Sequence, residues 1–241
     1  MTILAIESAA LTASAAVVNE EMILAETTLN TKLTHSQTLL PMIDEILRRT
    51  EIGPEEIDAV AVSAGPGSFT GLRIGAATAK GLGMAWDKPL IAVPTLDAMA
   101  YGLWGSRFLL CPIMDARRSQ VYNGLYRFDG QGNLSRLVGP RALGIGELLA
   151  ELKETAEPVV FLGDGVPVFR AAIEAKMGDQ ALFAPPSASR QRASAVAALG
   201  LEMLKRGETV TAAAFAPFYL RISQAERERA RRLTQEQGGS L

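Results

Sequence analysis

Gly65-Pro66-Gly67-Ser68-Phe69-Thr70-Gly71-Leu72-Arg73 stands between a short apolar run, residues 57–64, and a helical pattern that begins near residue 70. A buried strand that runs into a glycine-rich turn and then into a helix is the mark of α/β architecture. Such a junction leaves backbone amides free at the helix start, where they and the helix dipole can hold a phosphate. The specific nucleotide fingerprints differ from it: no lysine follows the glycines as in a P-loop, and Gly65, Gly67 and Gly71 read GxGxxxG, one residue longer than the dinucleotide pattern. Two readings stand at this point. One is a phosphate cradle built from Ser8, Gly65, Gly67 and Ser68; the other is a tight turn whose glycines supply positive φ.

The helix that follows, about residues 70–85, carries Gly71, Gly75, Ala79 and Gly83 every four residues, a stripe almost without side chains. Each glycine costs a helix roughly 1 kcal/mol against alanine, so three in one stripe need close approach of another backbone as compensation. The approaching element is either the chain's own sheet or an external partner. If the stripe packs inward, Leu72, Arg73, Ala76 and Lys80, with Phe69 ahead of them, are left for a partner.

Outward from this centre, residues 2–16 and 22–29 alternate around the polar corner Asn19-Glu20-Glu21 as a hairpin or meander, with Glu7-Ser8 interrupting the first strand or lying just past it. Leu39, Leu40, Ile43, Ile46 and Leu47 fall at spacings of three and four, so residues 34–49 form an amphipathic helix capped by Ser36 or Thr38, in which Pro41 is harmless only if it falls in the first turn. A strand over 90–93 completes the strand, helix, strand unit, and another helix is expected over 96–104. Beyond residue 105 strands are expected over 108–114, 120–128 and 159–162, and helices over 145–154 and 194–206, with no repeat of fixed period. This divides the chain into a first lobe, residues 1–105, a second, 106–210, and a C-terminal segment, 211–241, that packs back on the first lobe and ends in a frayed charged tail.

Composition narrows the function classes. The formal net charge of −2 provides no global positive field to draw the chain onto nucleic acid. Cys111 is the single cysteine, which excludes a disulfide framework and a cysteine zinc site and fits a reducing cytosol. The apolar start lacks a basic flank and carries Glu7, so it reads as a strand and not as a signal peptide, and no run is long enough to cross a bilayer.

His35 is the only histidine, and without a Gly-x-Ser-x-Gly elbow it reads as a polar residue at a helix start. Glu7, Asp115 and Asp164 each follow a strand, where a carboxylate can bind magnesium, activate water or cap a turn. Arg117-Arg118 beside Asp115 is an anion site or a surface ion pair. Arg227, Arg229, Arg231 and Arg232 are interrupted by Glu226 and Glu228 and read as a solvated tail more than as an RNA contact.

Several segments together resemble one family, the bacterial tRNA threonylcarbamoyladenosine biosynthesis protein TsaB, also called YeaZ. They are residues 3–8, His35-Ser36 with Leu39-Leu40-Pro41, residues 65–75, Ala79-Lys80-Gly81, Thr95-Leu96, Asp115-Ala116-Arg117-Arg118 with Val121-Tyr122, and Pro217-Phe218-Tyr219-Leu220-Arg221. The family usually reads Asp-Thr-Ser where this chain has Glu7-Ser8-Ala9.

The resemblance implies the two-lobed actin-like ATPase fold, also called ASKHA or ribonuclease-H-like. It implies a cytoplasmic, non-catalytic scaffold, a pseudo-enzyme that acts with TsaD and TsaE in threonylcarbamoyl transfer to the tRNA adenosine beside the anticodon. TsaD holds its metal through paired histidines, and the corresponding stretch here, residues 93–100, contains none, so neither a metal nor an intrinsic cofactor is expected. ATP or ADP would belong at the joint between subunits, and tRNA would be contacted mainly through the complex. The partner face implied is the helix after His35-Ser36, through Ser36, Leu39, Leu40, Ile43 and Leu47, with the helix after the glycine turn, through Phe69, Leu72, Arg73, Ala76 and Lys80. The same face would pair two copies when TsaD is absent. The alternative is an enzyme in its own right, a weak ATPase using Glu7, Ser8 and Gly67 or a metallopeptidase-like protein.

Overall fold

The computed structural model describes residues 1–31 and 33–221; the arginines expected in the charged tail lie outside them. The chain forms two five-stranded mixed sheets with helices, in two consecutive passes of one pattern. The first pass is β1 (Thr2–Glu7), β2 (Ala13–Asn19), β3 (Ile23–Leu29), α1 (His35–Thr50), β4 (Ala59–Gly65), α2 (Phe69–Trp86), β5 (Leu90–Pro94) and α3 (Thr95–Tyr101). The second is β6 (Leu109–Asp115), β7 (Gln120–Phe128), β8 (Leu134–Gly144), α4 (Ile145–Glu154), β9 (Val159–Leu162), α5 (Gly165–Met177), β10 (Ala181–Phe183) and α6 (Ala193–Lys205).

The sheet orders are β3-β2-β1-β4-β5 and β8-β7-β6-β9-β10, with the same antiparallel and parallel pairings at each place. The sequence shows no fixed-period repeat, yet the topology is duplicated, because what recurs is the order of apolar periods and not the residues. β8, α5 and β10 are additions to the elements expected. β8 contains Pro140, which suits it to the sheet edge it occupies, where a missing amide costs no ladder bond. Pro167 lies in the first turn of α5, where an amide has no intrahelical acceptor.

β1 shows why both faces of the first sheet are covered. Leu4 and Ile6 point to one side, into a cluster with Leu39, Ile43, Val60, Val62 and Ala76 beneath α1 and α2; Ile3 and Ala5 point to the other, among Ala59, Ala61, Val196 and Ala197 beneath α6. Each large aliphatic chain removed from water in this way stabilises the fold by about 1.5–3 kcal/mol. Helix α6 thus packs on the first sheet although it lies within residues 106–210, since its alanine-rich face fits closely over β1 and β2. A further cluster, with Leu72, Leu96 and Ala100 from the first pass and Met114, Tyr126 and Leu162 from the second, joins the lobes.

Helix α1 differs from expectation at its start. Its N-cap is Thr34, whose backbone amide and hydroxyl both donate to the Gln37 side-chain oxygen, at 3.3 and 3.0 Å. Ser36 and Thr38 are inside the helix, and Pro41 falls in its second turn, so the Gln37 carbonyl receives no amide from position 41. No helix among the described residues is long and apolar enough to cross a membrane.

Candidate functional site

The glycine turn sits where β4 ends and α2 begins, between the end of β1 and the second lobe. β1 stops at Glu7 because the chain must turn there to reach β2, and this brings residues 8–11 under the start of α2. The Ser68 amide donates to the Ala9 carbonyl at 2.7 Å. Ser8 donates its hydroxyl to the Gly71 carbonyl at 2.9 Å, and its own amide donates to the Ser63 hydroxyl at 3.3 Å. Ser68 is the N-cap of α2, and its hydroxyl accepts the Gly71 amide at 3.4 Å. Gly65, at φ 119°, takes a conformation open to glycine, and a side chain there would collide with the Phe218 carbonyl. Ser8 and Ser68 therefore tie the end of β1 to α2, while the Gly65 amide donates to the Thr95 hydroxyl at the start of α3 at 3.2 Å. The Ser68 amide and the Ser8 hydroxyl are spent within the chain and are not free to donate to a phosphate.

The small stripe of α2 faces the chain's own backbone: Gly71 and Gly75 pack on Ser8, and Gly83 on Lys88 and Leu90. Of the expected partner face, Leu39, Ile43, Leu72 and Ala76 are instead buried in the core, at 1%, 1%, 1% and 7% exposure. The reason is angular. Leu39 and Ile43 are the centre of the apolar stripe of α1, and Leu72 and Ala76 each follow a stripe glycine by one residue, within the wide arc that a helix buries on a sheet. Ser36, Leu40 and Arg73 are exposed, and Leu47, Phe69 and Lys80 are half-buried. Arg73 lies over the Phe69 ring at 3.9 Å from its centroid. Helices α1 and α2 pack side by side, so the outward face does join them, with Met84, 74% exposed, added on α2.

Between the lobes lies a cleft of about 450 Å³, lined by residues 9–11 and 67–70 on one side, by residues 114–117, Tyr122, Asp164 and Val168 on the other, and by residues 219–221. Asp115 accepts the Arg117 amide at 2.8 Å and pairs with its guanidinium at 3.4 Å, and since Arg117 is 81% exposed this pair contributes little. Asp164 accepts from the Gln191 side-chain amide at 2.9 Å, and burial holds its carboxyl above the ordinary value. Glu7 is buried behind the turn, where its carboxylate accepts the Ala9 amide at 2.6 Å. Burial pushes it up to about 7, more than the Ala9 bond draws it down.

His35 donates from Nε2 to the Ala10 carbonyl at 2.8 Å, fixing the start of α1 to the β1–β2 turn. Among the described residues no three His, Cys, Asp or Glu side chains come together as a metal site. Cys111 is buried and its thiol is pushed up by burial.

The sequence signals no role for Tyr219 and Arg221, which line the cleft, or for Gln120, to which Arg221 donates. Phe69 and Tyr219 pack with ring centroids 4.9 Å apart. Their separation along the chain left no periodic signal; only their place in the motifs at residues 65–75 and 217–221 could have drawn them together.

Comparison with known proteins bears on this geometry. The family model described as TsaD, tRNA N6-adenosine threonylcarbamoyltransferase, matches residues 22–229. The tRNA threonylcarbamoyladenosine biosynthesis protein TsaB of Bacillus subtilis is 35% identical over 228 residues, 94% of this chain and 96% of that protein. TsaB of Escherichia coli is 40% identical over 135 residues, 55% of this chain and 58% of that one. Among solved structures, YeaZ from Pseudomonas aeruginosa superposes with a TM-score of 0.74 at 26% identity, covering 91% of this chain and 99% of its own. The ethanolamine utilization protein EutJ from Carboxydothermus hydrogenoformans, 12% identical, shares the fold with a TM-score of 0.52 over 82% of this chain and 89% of its own.

Proposed function

The chain belongs to the TsaB family of tRNA threonylcarbamoyladenosine biosynthesis proteins, whose two-lobed actin-like architecture it has, and from this we propose that it is the non-catalytic scaffold subunit of a threonylcarbamoyl-transferring assembly. It acts with a TsaD-type transferase and the ATPase TsaE in the cytoplasm. The observation that carries the non-catalytic reading is the closure of the glycine turn: the Ser68 amide is given to Ala9 and the Ser8 hydroxyl to Gly71. Both donors are thereby withdrawn from phosphate binding, which counts against a weak ATPase that would use Ser8. A peptidase-like metal site would need imidazoles, and the one in this chain is engaged with Ala10. ATP or ADP would then be held at the joint with a partner subunit.

The partner face is the outward side of α1 and α2, carried by Leu40, Arg73 and Met84 with the half-buried Leu47, Phe69 and Lys80. Its apolar centre and charged edge suit both a related two-lobed partner and, when that is missing, a second copy related by a two-fold axis. The deciding experiment reconstitutes transfer of the threonylcarbamoyl group to tRNA from purified TsaD, TsaE and this chain, omitting each in turn. Transfer is expected only with this chain and TsaD together; transfer by this chain alone would overturn the scaffold reading.

A further inference from the structure

Residues 210–221 follow the first lobe for most of their length. Val210 and Leu90 exchange two backbone hydrogen bonds at 2.8 Å, Phe215 is buried under α1 and α2, and the Phe218 amide donates to the Ala64 carbonyl at 2.6 Å. The chain then crosses the mouth of the interlobe cleft. Tyr219 packs on Phe69, while Arg221 donates through Nη1 to the Ala116 carbonyl at 3.2 Å and through Nη2 to Gln120 Oε1, both in the second lobe.

The turn that Arg221 grips is strained. Residues 117–119, between β6 and β7, all have positive φ, at 66°, 56° and 55°, and none is glycine. Such conformations cost about 1 kcal/mol or more each and persist only where the surroundings over-determine them. The same turn carries Asp115 and Arg117 into the cleft. At the base of the cleft the lobes are joined by apolar packing of Leu72 and Leu96 against Met114 and Leu162, beside Tyr126 and Arg136 of the second lobe, which donate to Asp97 of the first. At the mouth the tie is the fork of one guanidinium, which is directional.

We propose that residues 217–221 are an interlobe clasp: Arg221 sets the width of the cleft, and Tyr219 on Phe69 transmits that width to the start of α2. Release of Arg221 relaxes the β6–β7 turn and opens the cleft about its base, where the packing and the Asp97 bonds persist, with residues 210–218 remaining seated on the first lobe.

The full chain carrying spin labels at Thr70→Cys and Val168→Cys, two exposed positions on opposite walls of the cleft, reads the lobe separation directly, since buried Cys111 does not compete for the label. Arg221→Ala is expected to lengthen and broaden the distance distribution. It should also speed amide exchange at Ala116, Arg117 and Gln120 by about tenfold, with the amides of β1 unchanged. Arg221→Lys, which keeps the charge and loses the fork, should fall between. Arg206→Ala, on a side chain paired with Glu208 beyond α6, should leave the distance as it is. An unchanged label distance in Arg221→Ala, with β1 still protected, overturns the clasp whatever the turn amides do.

Discussion

The hydroxyl of Ser8 donates to the carbonyl of Gly71 at 2.9 Å, joining the end of β1 to the first turn of α2, and it fills the space a side chain on Gly75 would occupy. A single serine thus explains why two stripe positions lack side chains, and it is a hydroxyl withdrawn from ligand chemistry by the fold itself.

Gly75→Ala should therefore destabilise the protein by about 1–3 kcal/mol despite the better helix propensity of alanine, because its methyl overpacks against Ser8 Oγ. Ser8→Ala alone should cost about 1–2 kcal/mol through the lost hydrogen bond. In the double variant the space is free, the next atoms being Ser8 Cβ at 3.4 Å and Val62 Cγ2 at 3.6 Å, so the two losses should not add. A denaturation cycle measures this, and strict additivity would mean that the two residues do not compete for one volume.

Glu7 gives a pH dependence with a defined sign. Its folded carboxyl, at about 7, lies above the ordinary 4.5, so between those values the folded state binds a proton that the unfolded chain has released. Stability from this group is fully present below pH 4.5 and falls as pH rises towards 7. Glu7→Gln removes the charge and keeps an acceptor for the Ala9 amide. Between about pH 5 and about pH 8, urea titrations should show the parent protein losing roughly 2–3 kcal/mol more than the variant. Parallel curves would assign the pH dependence to other groups.

Pro41 sits exposed in the second turn of α1, where its ring leaves the Gln37 carbonyl without its helical donor. Pro41→Ala restores that bond at the expense of a more flexible unfolded chain. Thermal melts should show a net gain of about 1–2 kcal/mol. A loss would indicate that the proline serves the outward face of α1 and not the helix.

Substitutions on α1 and α2 should separate surface from core. Leu40→Asp and Met84→Asp, at side chains 55% and 74% exposed, should weaken association with a TsaD-type partner and with a second copy while leaving the melting temperature nearly unchanged. Ala76→Arg, at a position 7% exposed, should lower the melting temperature by many degrees, because a guanidinium cannot be accommodated between α2 and β4. Size-exclusion chromatography beside thermal melts reads both effects, and a complex of undiminished size from the aspartate variants would place the interface elsewhere.

Much of the fold was legible in the chain. The alternation in β1 and β4, the spacing of Leu39, Ile43 and Ile46 in α1, and the glycine turn at Gly65 each reflect a local period or a backbone requirement that the residues themselves state. β8 and α5 were not, since Gly139-Pro140 and Pro167 read locally as breaks and are accommodated only by an edge position and a first helical turn. At the site, the stripe of α2 announced a close backbone approach but not what approaches. Ser8, sixty-three residues upstream of Gly71, is that partner.

What the sequence by itself determined was the α/β class, the α2 stripe that demands a near neighbour, and the scarcity of imidazole and thiol that limits the chemistry. Those follow from composition and from periods of two and four, which act over a few bonds. Only the tertiary structure decided that Leu72 and Ala76 face inward while Arg73 faces out, that the Ser68 amide is spent on Ala9, and that Arg221 reaches the second lobe. These depend on which surfaces meet when distant segments pack, and one residue of helical rotation, about 100°, is enough to turn a candidate contact into core.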